Sequence, residues 1–530
     1  MEQAGAGSSS NHARWVLAAA ALGSSIVFLD TTVVNVALPA VGRELPSTLV
    51  AGLEGQALVY TAYLLSLSAL LILAGAVSDY FGRRRTFAVG LVGFGITSAL
   101  CGLAPTMESL IVFRALQGAA GALLVPGALA LLTAAFDEEG RGRAIGIWAG
   151  ASSATILLGP LVGGLVVDLA SWRLAFLINV PLVAIALYAT LRHVQESRDT
   201  GASGRFDWLG ALVFALAVGG LSFGAIRGQE HDWHDQLAFV ALGTGALASL
   251  AFPILMARSE NPLVPLELFR SRNFAVINIS TLLIYGALYV SSLFISQFLQ
   301  GAIGYSASGA GLAVVPGTVL LVLTSSRFGA LADRRGPRLF MVAGPALMGL
   351  GMLWLARFPG TSAPWHLAPG DVSTYVPSTG YLVDMLPGQL IYGIGLAAMV
   401  APLTAALMAS VPRQRAGLGS AINNAVSRVG PQLAGALIFV AITASFYAGL
   451  AARVPGLDTT DPALRRAVAP WTVPAADLPP EVANAAREAS TEAFHVAMLV
   501  AAGLLLAGAA VNAVGIRSPR PGPERAEQAA

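Results

Sequence analysis

Long apolar stretches alternate with short polar connections along almost the whole chain, and charged residues are rare inside the stretches. A helix of about 20 residues crosses a bilayer core about 30 Å thick, and each stretch is about that long. The pattern predicts an all-α membrane protein with fourteen transmembrane helices, at about 15–40, 56–77, 86–104, 109–135, 143–167, 174–191, 208–226, 236–257, 274–300, 308–331, 338–358, 384–410, 418–448 and 494–516.

The longer polar connections divide these helices into groups of six, two and six. The predicted organisation is a cytoplasmic tail at 1–14, a six-helix bundle at 15–191, a cytoplasmic linker at 192–207, two extra central helices at 208–257, a cytoplasmic loop at 258–273, a second six-helix bundle at 274–516 and a cytoplasmic tail at 517–530. Two longer outer loops, at about 359–383 and 449–493, carry no catalytic signature and are interpreted as external caps.

Composition excludes a water-soluble fold and narrows the set of partners. Of 530 residues, 55% are hydrophobic and 11% charged, against about 25% charged in ordinary soluble proteins. The 31 basic and 29 acidic residues give a net charge of +2 without a basic tract, so nucleic acid is not expected as a partner. The single thiol, Cys101, lies in an apolar stretch, so neither a disulfide nor a Cys-based metal site is available. We expect no metal and no cofactor.

The arginines predict the orientation in the membrane, because positive charge resists translocation. If the N-terminus is inside, twenty arginines fall on inner loops and tails, against four beside the outer loops. Both termini are therefore predicted to be cytoplasmic, in a multi-pass protein of the cytoplasmic membrane. All 31 basic residues are arginine, which hints at a GC-rich bacterial source.

A short motif in the inner loop after helix 2 returns in the inner loop after helix 10. Its residues Gly75, Asp79, Gly82 and Arg84 recur, each 254 positions later, as Gly329, Asp333, Gly336 and Arg338. Such an offset fits a duplicated half with two inserted helices, and repeated halves around a midplane site are typical of secondary transporters. With the neighbouring Arg83, these charges can latch one half against the other through ion pairs and helix dipoles. A plain positive-inside turn is the alternative.

Asp30 lies about fifteen residues into helix 1 and is the only acid deep within any predicted span. A carboxylate in hydrocarbon is unfavourable as the anion, so it should hold a proton unless a cation or water stabilises its charge. Such a group can exchange a proton for a cationic substrate. A structural Asp bonded to a neighbouring helix is the alternative.

Helices 4 and 5 carry two further features. Arg114 lies within helix 4 and must face protein or water, where it can polarise a proton path or a nearby acid; the alternative is a snorkelling arginine. Helix 5 contains Gly159, Pro160, Gly163 and Gly164. Proline removes one backbone hydrogen bond and the small residues let another helix approach, which predicts a kinked, tightly packed seam. Ordinary Gly-rich helix packing would give the same pattern.

Polar residues on helix 9 share one face. Consecutive residues of an α-helix are rotated by 100° about its axis. On this basis seven side chains point within roughly 60° of one direction: Asn278, Thr281, Tyr285, Tyr289, Ser292, Ser296 and Gln300. A polar stripe on a membrane helix is not expected to face lipid, so we predict that it lines a central substrate cavity, with interhelical packing as the alternative. Helix 13 has a weaker stripe for the opposite wall, formed by Ser420, Asn423, Asn424, Ser427 and Arg428. Asn35 and Tyr63 are also expected to line the cavity.

Together these motifs resemble the major facilitator superfamily, and specifically its fourteen-helix drug:proton antiporter family. The resemblance covers about residues 15–448 and includes the Asp30 run, the loop Gly75–Arg85, the Arg114 run and the Gly159–Gly164 run. It implies a twelve-helix transport core with pseudo-repeated halves and two extra helices, proton-driven export of amphipathic compounds, and roles for Asp30 and Arg114 in proton coupling.

The energy source is expected to be an ion gradient, because no Gly-rich phosphate-binding loop for ATP appears. The hypothesis is a proton-coupled antiporter that exports amphipathic or cationic drugs by alternating access, with a small-molecule substrate, protons and membrane lipid as partners, acting as a monomer. A dedicated exporter of one metabolite or antibiotic and a non-transporting receptor are the alternatives. An enzyme is not expected, because neither His-Glu-x-x-His nor Gly-x-Ser-x-Gly occurs.

Overall fold

The chain folds into a bundle of long helices, and no strand occurs in the described residues. The computed structural model describes residues 2–48, 52–136, 138–198, 207–231, 233–368, 370–411, 416–472 and 478–517. The α-helices are α1 Glu2–Glu44, α2 Gly52–Phe81, α3 Arg83–Gly102, α4 Met107–Ala122, α5 Leu124–Ala135, α6 Glu138–Leu169, α7 Leu174–Leu177, α8 Asn179–His193, α9 Trp208–Glu230, α10 Gln236–Arg258, α11 Arg272–Phe298, α12 Ala307–Ala313, α13 Val315–Arg335, α14 Pro337–Leu355, α15 Leu386–Ala409, α16 Ala416–Arg453, α17 Pro462–Ala467 and α18 Pro480–Gly515. Short 3₁₀ turns occupy Leu266–Arg270 and Val372–Tyr375, and π-helical turns occupy Leu299–Ile303 and Tyr381–Met385.

Each predicted span coincides with one helix or with two consecutive helices, which confirms the all-α membrane fold. Within the described residues, twelve helical segments are long and apolar enough to cross a membrane, so the number fourteen stays a prediction. Three spans are split, as α4 with α5, α7 with α8, and α12 with α13. Pro126, Pro181 and Pro316 lie in the first turn of the second helix of each pair, and proline has no backbone N–H to continue the hydrogen-bond ladder.

The helices pack as two groups joined by a helical pair. Helices α1–α8 pack mainly on one another, as do α11–α18, while α9 packs on α10, α2 and α16. We call α1–α8 and α11–α18 the two halves. Helices α9 and α10 can pack closely because Gly220 faces the backbone of Gly245. A Cβ added to Gly220 would lie only 2.8 Å from the Cα of Gly245. Helix α9 therefore touches one helix from each half.

A cluster of charges fixes the helical pair to α2. Arg227 near the end of α9 lies 3.4 Å from the carboxylate of Glu54, which is 1% exposed. The same guanidinium lies 2.6 Å from Asp235, the N-cap of α10. Desolvation raises the pKa of Asp235, but the Leu237 N–H and the Arg227 charge together hold that pKa below its ordinary value. Asp235 is therefore ionised at neutral pH and helps to neutralise Arg227.

The duplicated loop motif has the same backbone geometry in both halves. Gly82 links α2 to α3 with φ 107° and ψ 133°, and Gly336 links α13 to α14 with φ 85° and ψ 149°. Residues with a Cβ rarely adopt a positive φ, so glycine is required at both turns. The two following arginines also act alike: Arg84 donates to the carbonyl of Leu191 and Arg338 to that of Ala513, each on the last helix of its own half.

The two halves meet at the end of the bundle that the sequence predicts to be external. The carboxylate of Asp168, at the end of α6, accepts hydrogen bonds from the backbone N–H groups of Ala307 and Ser308 at 3.2 and 2.7 Å. These are the first two residues of α12, in the other half, so Asp168 also meets the positive end of a helix dipole.

Two glutamines extend this contact between the halves. The Gln297 amide on α11 donates to Gln56 on α2 at 2.8 Å, and Gln300 donates to the carbonyl of Val36 on α1 at 3.2 Å. The region around Gln56, Asp168, Gln297 and Ser308 is called the sealed end below. At the opposite end, the bonds of Arg84 and Arg338 stay within their own halves.

Candidate transport site

Asp30 and Arg114 form a fully buried ion pair in the first half. An Asp30 oxygen, Oδ2, lies 2.6 Å from Nη1 of Arg114, and both side chains are 0% exposed. Asp30 is on α1 and Arg114 on α4, so each predicted charge supplies the counter-charge of the other. The cation that the sequence required to stabilise a buried carboxylate is therefore present in the structure.

Neutral donors complete the environment of the carboxylate. Its second oxygen, Oδ1, accepts from Gln117 Nε2 at 2.9 Å and from Asn179 Nδ2 at 3.0 Å. Both amides also donate to the hydroxyl of Ser98, which itself donates to the Phe176 carbonyl at 2.8 Å. Charge-assisted bonds of this kind are stronger than neutral ones. Helices α4 and α8 therefore hold the anion in place, and Ser98 on α3 fixes the two amides.

Arg114 is held from its other faces as well. Its Cζ lies 4.0 Å from the ring centroid of Tyr63, and its Nε donates to the carbonyl of Val59 at 3.4 Å. Tyr63 is 0% exposed, and its hydroxyl donates to the Val27 carbonyl. Tyr63 therefore packs against the ion pair in this conformation, and its predicted contact with substrate remains a prediction.

The glycines of α6 allow close contact with α1. An added Cβ at Gly159 would overlap the Thr32 hydroxyl, and one at Gly163 would lie 3.0 Å from the backbone of Val33. Gly164 faces the other half instead, where its Cβ would lie 2.6 Å from the Cα of Ser308.

Pro160 takes part in the same contact between the halves. It lies inside α6, and its carbonyl is approached closely by Gly311 of α12. The run Gly159–Gly164 thus joins α6 both to its own half and to the sealed end.

The polar stripe on α11 divides into two ends and a middle part. Asn278 accepts from Asn423 of α16 at 3.2 Å, and Thr281 accepts from the same amide at 3.0 Å. These contacts favour the interhelical alternative at that end of the stripe. Ser296 accepts from Gln300 at 3.0 Å, beside the sealed end.

The middle of the stripe holds two aromatic residues and a hydroxyl. Tyr285 and Tyr289 have ring centroids 6.3 Å apart, and they are half-buried, as is Ser292. Their predicted role in the substrate cavity is untested. Asn424 on α16 is exposed, and its amide bonds to the Ser420 carbonyl. Asn35 on α1 is 5% exposed, and its Oδ1 has no hydrogen-bond partner.

The loop motifs are described only in part. The side chains of Asp79 and Asp333 lie outside the described residues. Glu196 accepts from the backbone N–H groups of Arg84 and Arg85, and Arg83 donates its own N–H to Ser197. Gly75 has open space where a Cβ would be. A latch between the halves through these charges remains a prediction.

Several residues of the site were not predicted from the sequence. Ser98, Gln117 and Asn179 are neutral, so an apolar run containing them shows no charge that requires a partner. Gln117 follows Arg114 by one helical turn, which puts both on one face and is the signal that could have identified it. Among the residues that the structure describes, no group of three or more metal-ligating side chains occurs.

Comparison with known proteins agrees with this architecture. The sequence profile of the Major Facilitator Superfamily matches residues 20–435. Multidrug resistance protein Stp of Mycobacterium tuberculosis is 34% identical over 85% of this chain and 78% of its own. Puromycin resistance protein pur8 of Streptomyces alboniger is 34% identical, over 82% of this chain and 83% of its own. The tetracenomycin C resistance and export protein of Streptomyces glaucescens is 32% identical, over 80% of this chain and 75% of its own.

Solved transporters share the fold at low sequence identity. A bacterial homologue of the human lysosomal transporter Spinster, in an inward-facing and occupied conformation, aligns with a TM-score of 0.62 over 96% of this chain and 98% of its own, at 18% identity. A D-xylose–proton symporter aligns with a TM-score of 0.58 at 16% identity, over 95% of this chain and 98% of its own. The predicted fold and the prediction that the chain is not an enzyme are confirmed: it is a multi-pass membrane transporter that belongs to the Major Facilitator Superfamily.

Proposed function

We propose that the protein exports amphipathic drugs or antibiotics across the cytoplasmic membrane in exchange for protons. The buried pair of Asp30 and Arg114 is the observation that carries the proposal, because it places one titratable acid at a cation inside the transport fold. Relatives named for resistance to several drugs, to puromycin and to tetracenomycin C support export as the direction. The working unit is a monomer with both termini in the cytoplasm.

Protonation of Asp30 would change the stability of this conformation. As the anion, Asp30 balances Arg114; as the acid, it leaves that guanidinium buried without a counter-charge. Breaking a buried ion pair by removing one partner costs about 3–5 kcal/mol. A proton therefore favours a rearrangement that gives Arg114 a new environment, and loss of the proton restores the pair. Alternating access then couples the two states to substrate binding and release.

The available energy is sufficient for useful export. A membrane potential of 100 mV supplies about 2.3 kcal/mol per charge moved, and tenfold accumulation requires about 1.4 kcal/mol. One proton exchanged for a neutral compound could thus sustain a gradient of about 40-fold from the potential alone.

The test is proton efflux from inverted vesicles with an acidic interior, reported by a pH-sensitive dye while cationic, neutral and anionic compounds are added. With wild-type protein, substrates should release protons and relieve the quenching. Asp30→Asn should abolish this response because the amide cannot exchange a proton. Asp371→Asn, which changes an exposed acid in an outer loop, is the matched control and should respond normally.

Export by Asp30→Asn at the wild-type rate under the same gradient would overturn the assignment. The number of active compounds separates two functions. Responses to several unrelated compounds indicate a multidrug exporter. A response to one compound indicates a dedicated exporter, the second candidate, which the single-compound names of two relatives favour.

A further inference from the structure

A second arginine lies buried between the two halves. Arg428, on α16, is 7% exposed. Its Cζ lies 5.6 Å from the ring centroid of Phe28 on α1 and 5.4 Å from that of Tyr289 on α11. Helices α1 and α11 belong to different halves, so this guanidinium lies where the halves face each other.

Arg428 differs from Arg114 in its charged surroundings. Among the described residues, none brings a carboxylate within ion-pairing distance of it, and its buried Nη1 has no hydrogen-bond partner. Arg114, in contrast, pairs with Asp30 at 2.6 Å. A buried cation without an anion is unfavourable, and contacts with two aromatic rings offset only part of that penalty. The environment of Arg428 is therefore incomplete without a negatively charged group.

Two further buried polar atoms, one near Arg428 and one farther along α1, also lack partners. The hydroxyl of Tyr60 on α2 is buried without a hydrogen bond, and Tyr60 lies near Arg428 and Tyr289. The Oδ1 of Asn35 is likewise unpartnered. Asn35 follows Phe28 by two helical turns, which places both on one face of α1. Arg428 is thus bordered by two aromatic rings and by the unsatisfied hydroxyl of Tyr60.

We propose that Arg428, Phe28 and Tyr289 recognise exported compounds that carry an anionic oxygen, such as a carboxylate or an ionised hydroxyl, on a planar aromatic ring. The planar guanidinium can donate two parallel N–H bonds to a carboxylate. The rings of Phe28 and Tyr289 give an apolar surface for the aromatic part. This inference rests on the proposed export function, since it names the substrate class of that exporter.

The experiment compares three probes that share one ring and differ in head group: 2-naphthoate, 2-naphthamide and 2-naphthylmethylammonium. Binding to the purified full-length protein is measured by tryptophan fluorescence without any ion gradient. Wild-type protein should bind naphthoate about 10- to 100-fold more tightly than the amide, as expected for hydrogen bonds to a charged group. Arg428→Gln should remove this preference and change binding of the amide by no more than about twofold.

Arg428→Lys is the matched variant, because it keeps the charge and loses the planar pair of donors. It should keep part of the preference for naphthoate. Equal binding of all three probes by wild-type protein, tighter binding of the ammonium probe, or a preference for naphthoate that survives in Arg428→Gln would overturn the proposal. An equal loss for all three probes in both variants would also overturn it, since it would indicate a purely structural arginine.

Failure of this inference is distinct from failure of the export function. The head-group preference is measured at equilibrium and depends on Arg428. Proton exchange is measured in vesicles and depends on Asp30. A protein whose proton response requires Asp30 but which shows no head-group preference would refute the recognition site alone.

Discussion

At the scale of single residues, the Asp30 carboxylate depends on neutral neighbours as well as on Arg114. Asn179 and Gln117 donate to the same oxygen from different helices, at 3.0 and 2.9 Å. These bonds stabilise the charged form and have no equivalent strength with the protonated form. The amides of Asn179 and Gln117 therefore help Arg114 to hold the carboxylate in place.

Asn179→Leu tests this dependence. Loss of one hydrogen bond to a charged group costs about 1.5–3 kcal/mol, and about 1.4 kcal/mol corresponds to one pH unit. Because the anion is destabilised, the acid should hold its proton at higher pH. The pH of half-maximal transport should therefore move upward by about 1–2 units.

The measurement is the pH profile of dye-reported proton exchange in vesicles. Asn484→Leu, an equivalent change at an exposed position at the start of α18, should leave the profile in place. A profile that stays unchanged in Asn179→Leu, with transport intact, would show that Asn179 does not influence the proton-exchanging group.

The sequence predicted the charged residues of this site better than their partners. Asp30 and Arg114 were evident because a charge deep in an apolar span requires an explanation. Their contact was not predictable, because it depends on how α1 and α4 pack. Asn179 and Ser98 gave no such signal, because a neutral side chain in a hydrophobic run is common. Arg428 was visible in its polar stripe, but its lack of a counter-charge is a property of the folded chain.

At the scale of helices, glycine decides how closely two helices approach. Gly118 on α4 faces α2, and a Cβ there would overlap the backbone carbonyl of Tyr63. A backbone atom cannot move aside as a flexible side chain can. Since Arg114 lies one turn earlier on α4, this contact also positions the guanidinium against the Tyr63 ring.

Gly118→Ala should therefore destabilise the folded protein, by about 1–3 kcal/mol as is usual for overpacking. Thermal unfolding of the purified protein is the measurement. Gly243→Ala on α10 is the matched control, because nothing lies within 4 Å of the added Cβ. Alanine favours a helix over glycine by up to about 1 kcal/mol, so the control should be neutral or stabilised. A Gly118→Ala variant as stable as this control would contradict the packing argument.

Hydropathy located the helices but underestimated the length of two of them. The outer loop predicted at 449–493 contains the end of α16, all of α17 and the start of α18. Arg453 joins the two extensions through ion pairs to Glu488 and Glu492, at 2.9 and 2.6 Å. A helix can extend wherever its backbone hydrogen bonds and its packing are maintained. A hydropathy pattern indicates only the hydrophobic segment of that helix. The interpretation of this segment as a simple external cap was therefore incomplete.

At the scale of the whole molecule, the contacts across the sealed end hold one conformation. Asp168 supplies a charge to the first turn of α12, and Gly164 lets the two backbones approach. The alternating access proposed above requires these contacts to break during part of the cycle. The interface is built from a few hydrogen bonds and close backbone contacts, which suits a contact that forms and breaks in each cycle.

Asp168→Asn should shift the population toward conformations that are open at this end. Asp168 is an exposed residue, and a negative group at an exposed helix N-terminus contributes about 0.3–1 kcal/mol. The variant keeps the shape of the side chain and loses its charge. Spin labels on cysteines replacing Leu103 and Thr361, exposed residues of opposite halves, report the distance in a Cys101→Ser background.

Longer distances should become more populated in Asp168→Asn than in the parent protein. Asp458→Asn, which alters an exposed acid in the second half, should give the parent distribution. Distributions that are indistinguishable among all three proteins would show that the Asp168 charge does not stabilise the sealed end.

The complete burial of Asp30 has a consequence for the cell that makes this protein. Its carboxylate is 0% exposed, so in this conformation water on neither side of the bilayer reaches it. In this conformation the protein therefore has no continuous path through Asp30 along which protons could cross the membrane. If the protein exchanges protons as proposed, many idle copies would not dissipate the proton gradient before a substrate arrives.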